Sequence, residues 1–282
     1  MTHRLAGDTL RMKPDAVTTL RVLSLGWGVQ SWTLAAMVAL GELEPVDFIV
    51  HADTGYEHSK TYEHAQKWTP WLQERGCKVV TVKAKDNGVV VKWANSESVM
   101  IPALTVDRET GSHGQIKRQC THDWKIAPIR HFITSLGITK SAGAVESWQG
   151  ISWDEVRRIR DSDVAYITNR YPLVDLKMTR GDCIQWLQKN SLDVPVKSGC
   201  VFCPYNSMGR WKALKRDGGL DWDTAVKVDL LIRDKRPKWA VYVHPGRKPL
   251  EEAVSIPEDI GASQIAMTLD AEAQCDSGVC MT

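Results

Sequence analysis

The sequence lacks a long apolar run and a strong net charge. Nothing in it approaches the roughly 18 consecutive apolar residues that a membrane-spanning helix needs. Residues 1–14 are polar and have no apolar core like that of a signal peptide. A formal net charge of +2 is too small to indicate a nucleic-acid partner by itself. We therefore expect a cytoplasmic globular protein with no membrane partner and with a flexible tail over residues 1–18.

The sequence also lacks a Walker motif, because no Gly-Lys-Ser/Thr follows its glycine turn. That turn, residues 24–31, joins an apolar run at 20–23 to a helical pattern at 32–40. Backbone N–H groups and the positive end of the helix dipole meet at such a turn, so it favours a phosphate. Gly26 and Gly28 allow close approach of an anion, and Ser24 and Ser31 add hydroxyl donors. The alternative is an ordinary strand-to-helix turn.

Alternating strand and helix patterns follow this turn. Strands are predicted at 46–51, 78–82 and 144–148, and helices at 59–75 and 123–136. This alternation predicts an α/β fold with a Rossmann-like parallel sheet and helices on both faces. Polar turns at the carboxyl ends of such strands are where open sheets bind ligands, and Asp53-Thr54-Gly55 is one such turn.

The remaining segments are assigned by composition. Residues 83–114 have no clear period, and we interpret them as a mobile lid. A small β element is predicted at 165–172, and helices at 179–190, 208–216 and 221–234, with Thr179 as the first helix's N-cap. We expect a nucleotide-binding domain over 19–175 and a smaller, mostly helical, cysteine-bearing C-terminal region over 176–282.

Seven cysteines in a reducing compartment indicate metal binding or redox chemistry before disulfides. Cys200 and Cys203 have a metal-ligand spacing, while Cys120 and Cys183 are distant single residues. By count, four thiolates suit Zn²⁺ and a [4Fe–4S] cluster equally. The alternative is a set of buried thiols that pack as small hydrophobic groups.

Four segments, in order, resemble the phosphoadenosine phosphosulfate (PAPS) reductases and the wider adenine nucleotide α-hydrolase, or PP-loop, superfamily. Residues 24–31 resemble the S-x-S-G-G-x-D-S loop, and residues 53–57 resemble D-T-G-x-E. Residues 120–128 resemble C-T-x-x-x-K-x-x-P, and residues 150–158 resemble G-I-x-x-D-E-x-x-R. The resemblance covers residue 21 to about 210 and is greatest to the PAPS reductase-like proteins of phage and prophage genomes.

This resemblance implies a set of site residues for ATP or a PAPS-like nucleotide. Lys125 and Arg158 would be catalytic by offsetting negative charge on phosphate or sulfate. Asp53 could face a Mg²⁺ ion. The implied nucleotide-binding residues are Ser24, Gly26, Gly28, Gln30, Ser31, Asp53, Thr54, Gly55, Gly150, Asp154 and Glu155.

Two positions depart from the family loop. Trp27 stands where the family has glycine, and Gln30 stands where it has aspartate. Loss of the aspartate removes a carboxylate that accepts hydrogen bonds, which weakens the expectation of ATP cleavage.

The resemblance also favours an iron–sulfur cluster over zinc, with Cys120, Cys183, Cys200 and Cys203 as ligands. If Cys183 were not a ligand, the other three would leave one iron open. The tail carries Cys275 and Cys280 but lacks the Glu-Cys-Gly-x-His nucleophile of PAPS reductases. Cys280 is a candidate catalytic nucleophile, and the alternative is a tail thiol without a role.

These observations and the resemblance predict an enzyme that binds an adenine nucleotide and uses an iron–sulfur site for sulfur transfer or for another nucleotide-activated modification. The alternatives are a PAPS- or APS-type sulfonucleotide reductase and a non-catalytic nucleotide-binding regulator. Expected partners are an adenine nucleotide, a thiol reductant or sulfur donor, and a second copy of the chain. Basic clusters with neighbouring tryptophans make nucleic acid a candidate acceptor.

Overall fold

The central element is a five-stranded parallel sheet in the order β3-β2-β1-β6-β7. It is seen in a computed structural model that describes residues 20–85, 89–92, 96–138, 141 and 143–255. The strands are β1 (Leu20–Ser24), β2 (Phe48–Asp53), β3 (Val79–Lys83), β6 (Val145–Trp148) and β7 (Ile167–Arg170). The prediction of a Rossmann-like α/β fold is therefore confirmed. The predicted tail, Cys275 and Cys280 lie outside the described residues.

Helices cover both faces of this sheet because adjacent strand residues point to opposite sides. On one face, Leu23 and Ile49 pack with α1 (Val29–Ala39), α2 (Ser59–Glu74), α4 (Pro172–Asp175) and α5 (Arg180–Lys189). On the other face, Val22 and Val50 pack with Ile133 of α3 (Ala127–Ser135). The predicted N-cap is confirmed: Thr179 and Asp182 form a reciprocal capping box at the start of α5.

A second, antiparallel sheet in the order β5-β4-β8 joins distant parts of the chain. Its strands are β4 (Leu104–Asp107), β5 (His113–Gln115) and β8 (Trp239–Tyr242). Val241 of β8, together with Ala103 and Ile116 next to β4 and β5, packs in one core with α6 (Met208–Asp217), α7 (Gly219–Arg233) and α8 (Leu250–Ala253). The lid interpretation of 83–114 was wrong, because Val99, Met100 and Ile101 are buried in this core.

Two further placements differ from the sequence reading. The β element predicted near residue 165 is β7, a full edge strand of the parallel sheet rather than a separate unit. The division after residue 175 stays a prediction, and in the structure α5 packs directly on α1. None of the helices in the described part of the chain combines the length and apolarity of a membrane span.

Candidate functional site

A cavity of about 470 Å³ lies where β1, β2, β6 and β7 end, and we call it the strand-end cavity. The chain leaves β1 toward β2 on one side, while β6 lies on the other side of β1. Such a switch in strand order is where open parallel sheets bind ligands. Isoleucines form much of one wall, and the polar lining includes Ser24, Gly26, His51, Ser147, Gln149 and Asn169.

The loop at 24–31 is held in shape by its own hydrogen bonds. The Gly26 N–H donates to Ser31 Oγ at 3.1 Å, and Ser31 Oγ donates to the Gly28 carbonyl at 3.3 Å. Gly150 closes against the same loop, since a Cβ there would lie 2.7 Å from the Ser31 backbone. Of the predicted loop residues, Ser24 and Gly26 line the strand-end cavity, whereas Gly28, Ser31 and Gly150 shape the loop around it.

Trp27 adopts the left-handed backbone conformation, with φ of 55°, that glycine ordinarily supplies. Its side chain is 1% exposed and packs into an aromatic cluster. The Trp27 ring lies 5.8 Å from Trp32 and 5.7 Å from His64, measured between centroids. The side chain does not line the strand-end cavity. The bulky side chain therefore packs behind the loop and leaves the side that faces the strand-end cavity open.

Gln30 is paired with the 150–158 segment. Its Nε2 donates to Glu155 Oε2 at 3.2 Å and to Ser152 Oγ at 3.4 Å. Arg158 donates to the other oxygen of Glu155 at 2.7 Å. An aspartate at position 30 would place a carboxylate against Glu155, so glutamine suits this partner. Gln30, Glu155 and Arg158 thus join the loop to the 3₁₀ turn at Trp153–Arg158.

Asp154 faces away from this group and accepts a hydrogen bond from the Arg180 N–H at 3.1 Å. It therefore supports the start of α5. Neither Asp154 nor the Gln30, Glu155 and Arg158 side chains line the strand-end cavity.

Asp53 stabilises the turn after β2. Its Oδ1 accepts from the Gly55 N–H and the Tyr62 hydroxyl, each at 2.8 Å, and Oδ2 lies 2.9 Å from Lys83 Nζ. Burial alone would raise the pKa of Asp53, but the hydrogen bonds from Lys83, Gly55 and Tyr62 outweigh it and lower that pKa. Asp53 is thus an ionised residue already engaged in the turn, and it does not line the strand-end cavity.

A second, smaller cavity of about 30 Å³ is lined by Cys120, Cys200 and Cys203, and we call it the cysteine cavity. The Cys200 loop joins the 53–57 turn through a backbone bridge between Glu57 and Cys200. Thr54 Oγ1 lies 3.4 Å from Cys200 Sγ. Burial, followed by the charge of Glu57, raises the pKa of the Cys200 thiol.

Cys183 lies apart from these three thiols. It is fully buried on α5 among the residues that pack α1, and its carbonyl accepts a hydrogen bond from Thr33. Burial raises the pKa of its thiol to about 12. The structure therefore brings together three of the four predicted ligands, and Cys183 packs as a small hydrophobic side chain.

Lys125 and Thr121 line both cavities. They lie on the segment that resembles C-T-x-x-x-K-x-x-P, where a π-helical turn spans His122–Ile126. Turns of this kind occur frequently at functional sites. Lys125 Nζ lies 3.5 Å from Oε1 of the buried Glu57. A single ammonium group is thus shared between the strand-end cavity and the cysteine cavity.

Sequence reasoning did not single out several residues of the strand-end cavity. His51 Nδ1 lies 2.9 Å from the Leu25 carbonyl, and burial lowers the pKa of this histidine. Gln149 Nε2 donates to Ser147 Oγ at 2.9 Å and to Ser24 Oγ at 3.3 Å. His51 lies in the carboxyl-terminal half of β2 and Gln149 directly follows β6, and these positions were the available signal.

The four predicted cysteine ligands do not fit a four-cysteine cluster. Cys183 belongs to another core. Among the residues that the structure describes, no group of three or more histidine, cysteine or acidic side chains is arranged to hold a metal ion. A cluster with Cys183 as a ligand therefore does not suit this structure, and a cluster held by Cys120, Cys200 and Cys203 alone stays a prediction.

No protein-family model and no curated protein matches this chain. Among solved structures, the chain is similar to a PAPS reductase from Candida auris in its phosphate complex, at 12% identity and a TM-score of 0.41. That match covers 62% of this chain and 74% of the reductase.

The chain is also similar to the U34-tRNA thiolase NcsA from Methanococcus maripaludis with its [4Fe-4S] cluster. Here the identity is 11% and the TM-score 0.39, and the match covers 77% of this chain and 74% of the thiolase. Because the TM-scores of these two matches are only 0.41 and 0.39, the fold is assigned from the order and direction of this chain's own strands. The sheet order and the strand-turn-helix at 20–39 give this chain a Rossmann-like α/β fold.

Proposed function

We propose that this protein is an enzyme that binds an adenine nucleotide in the strand-end cavity and transfers sulfur, by way of the cysteine cavity, to a nucleotide-activated acceptor. The observation that carries the proposal is that Lys125 and Thr121 line both cavities. Activation and sulfur delivery need adjacent sites, because an activated intermediate must meet the sulfur before it meets water.

The lining of the strand-end cavity suits a nucleotide. Ser24 and the Gly26 backbone lie at the β1 end, next to the start of α1, where the helix dipole favours a phosphate. Isoleucines 126, 129 and 133 form an apolar wall against which a flat base can pack. A cavity of about 470 Å³ falls within the range of small-molecule sites.

The activation step is attack of an acceptor oxygen on the α-phosphorus of ATP. The new O–P bond forms as the bond to the β-phosphate oxygen breaks, and pyrophosphate leaves. Negative charge grows on the phosphate oxygens during this step, and the Lys125 ammonium group is the cation available to both cavities to offset it. A sulfur nucleophile then displaces AMP from the activated carbon.

The test is nucleotide turnover by Lys125→Met, with Lys60→Met as the matched control. Lys60 is an exposed lysine paired with Asp217 and lines neither cavity. With ATP and pooled nucleic acid as candidate acceptor, the wild type is expected to release pyrophosphate. Lys125→Met should lower kcat/KM by roughly 10²-fold or more, and Lys60→Met should leave it unchanged.

The products that the assay detects distinguish between the possible reactions. Release of orthophosphate instead of pyrophosphate, or equal effects of the two lysine variants, would contradict the proposal. Sulfite release from PAPS in the presence of a thiol reductant would favour the reductase alternative. A broad absorption band near 400 nm in anaerobically purified protein, as iron–sulfur proteins show, would support the predicted cluster.

A further inference from the structure

An ion pair joins two walls of the strand-end cavity. Arg130 lies on α3 with Ile129 and Ile133, and all three residues line the cavity. Asp163 lies on the loop between the 3₁₀ turn and β7, and it lines the same cavity. Arg130 Nη1 donates to Asp163 Oδ2 at 3.3 Å, and Nη2 donates to Oδ1. A guanidinium group offers this two-point geometry to a phosphate as well as to a carboxylate.

Two other lysine or arginine side chains line the cavity in the part of the chain that the structure describes, and both have partners that are hard to replace. Lys125 lies 3.5 Å from Glu57, whose side chain is 2% exposed. Separating so buried a carboxylate from its cation is costly. Arg160 donates to the carbonyls of Arg157 and Ile159, at 2.9 and 2.7 Å, and is thus turned back to its own segment.

Asp163, by contrast, is a partner that Arg130 can exchange. The side chain of Asp163 is 73% exposed, whereas that of Arg130 is 19% exposed. Water can hydrate so exposed a carboxylate once the pair separates, and exposed ion pairs contribute little to stability. The Arg130 guanidinium group would regain two charge-assisted hydrogen bonds from a phosphate bound in the cavity. Opening this pair therefore leaves no buried charge without a partner.

We propose that a phosphate group of the nucleotide displaces Asp163 and takes its place on Arg130. The inference rests on the proposed function, because it requires a nucleotide in the strand-end cavity. Arg130 is then a phosphate-binding residue, and Asp163 is an internal competitor that occupies it until a nucleotide binds. A ligand without phosphate, such as adenosine, offers nothing to exchange for Asp163 and leaves the pair closed.

The experiment measures the binding of ATP and of adenosine to the full chain by isothermal titration calorimetry. Asp163→Asn removes the competing charge, and it should tighten ATP binding about 2- to 5-fold, the effect of releasing one exposed ion pair. Arg130→Gln removes the partner of the phosphate, and it should weaken ATP binding about 10-fold, the effect of one hydrogen bond to a charged group. Adenosine binding should be unchanged in both variants.

Asp161 provides a matched control, because it separates the exchange from simple repulsion between charges. It also lines the cavity, and within the described residues no ion pair joins it to Arg130. Asp161→Asn therefore removes the same charge near the ligand without releasing Arg130, and it should tighten ATP binding less than Asp163→Asn does. In the Arg130→Gln background, the two aspartate variants should have the same effect on ATP binding.

Three outcomes would overturn the inference: weaker ATP binding by Asp163→Asn, equal effects of the two aspartate variants on the wild-type background, or an equal loss of adenosine binding in Arg130→Gln. Should Arg130→Gln fail to fold, the comparison of the two aspartate variants still decides.

The same proteins also separate this inference from the proposed function. The expected changes in ATP binding without pyrophosphate release would contradict the proposed function alone. Pyrophosphate release with ATP binding that none of these substitutions changes would contradict this inference alone. A lack of ATP binding by all the proteins would contradict both.

Discussion

Replacing Trp27 tests whether the tryptophan merely substitutes for a loop glycine or holds the loop in place. Glycine would relieve the left-handed backbone at φ of 55°, which disfavours other residues by about 1–2 kcal/mol. It would also remove a side chain that is 1% exposed, and truncating such an aromatic residue to alanine destabilises by about 3–5 kcal/mol. Trp27→Ala should therefore lower the free energy of unfolding by about 3–5 kcal/mol. Trp27→Gly should lower it by only about 1–4 kcal/mol, because the relieved backbone offsets part of the loss.

The order of the two variants is the diagnostic result, because glycine ordinarily destabilises more than alanine. Equilibrium urea unfolding followed by far-ultraviolet circular dichroism measures both, since it does not depend on tryptophan fluorescence. Trp153→Ala is the control, because Trp153 is 46% exposed and its loss should change the free energy by about 0.5 kcal/mol or less. If Trp27→Gly equals or exceeds the wild type in stability, the aromatic cluster does not anchor the loop. If Trp27→Ala is the more stable of the two variants, the backbone argument is wrong.

Three further predictions concern the same region. Gly150→Ala should lower the free energy of unfolding in urea by about 1–3 kcal/mol, because its Cβ would lie 2.7 Å from the Ser31 backbone. Gly181→Ala is the control: its Cβ would lie 3.6 Å from Thr179 Oγ1, so this variant should be neutral or stabilising. Burial lowers the pKa of His64 to about 4, against 6.5 when unfolded. As pH falls from 6.5 to 4, the unfolded chain therefore binds a proton that the folded chain excludes, and stability falls until it levels off below 4. His64→Leu should flatten this part of a pH series of urea midpoints. Gln30→Glu should lower the urea midpoint, because it sets a second carboxylate against Glu155. Adding Glu155→Gln should restore the wild-type midpoint. A double variant that stays destabilised would contradict the pairing of these two residues.

The parts of the fold that the sequence predicts are those determined by local pattern. The strand-turn-helix at 20–39 follows from an apolar run, two glycines and a helical period. The N-cap at Thr179 follows from its spacing to Asp182. In both cases the residues that decide the structure are neighbours along the chain, so no tertiary information is needed.

The second sheet could not be predicted in this way, because its strands find their partners far along the chain. β4 pairs with β8, and neither has enough residues to show a clear alternation. The apolar residues around Met100 are buried from several sides, so they show no period even though they form part of a core. The lack of periodicity was wrongly interpreted as mobility.

The candidate site was predicted only in part, because some of its residues belong to local motifs and others are positioned by packing. Ser24, Gly26 and Lys125 line the strand-end cavity because they belong to motifs at strand ends or on the adjoining helix. Cys183 fits the cysteine count but lies on α5 in the core that α5 shares with α1, and only packing determines that. Trp124, which lines the cysteine cavity, falls at an unspecified position of the C-T-x-x-x-K-x-x-P segment, so the pattern gave no signal for it.

The pairing of β4 with β8 has a consequence for the order of folding. β4 ends at residue 107 and β8 begins at residue 239. Bringing together two strands that are so far apart in the sequence is slow compared with forming local contacts. During synthesis, the parallel strands β1, β2 and β3 leave the ribosome long before β8 does. We therefore expect the loop at 24–31 to form early, while the core that supports Cys120 and Cys200 forms only when the chain is almost complete. Pulse-labelling hydrogen exchange during refolding would show the β1 amides protected before those of β4.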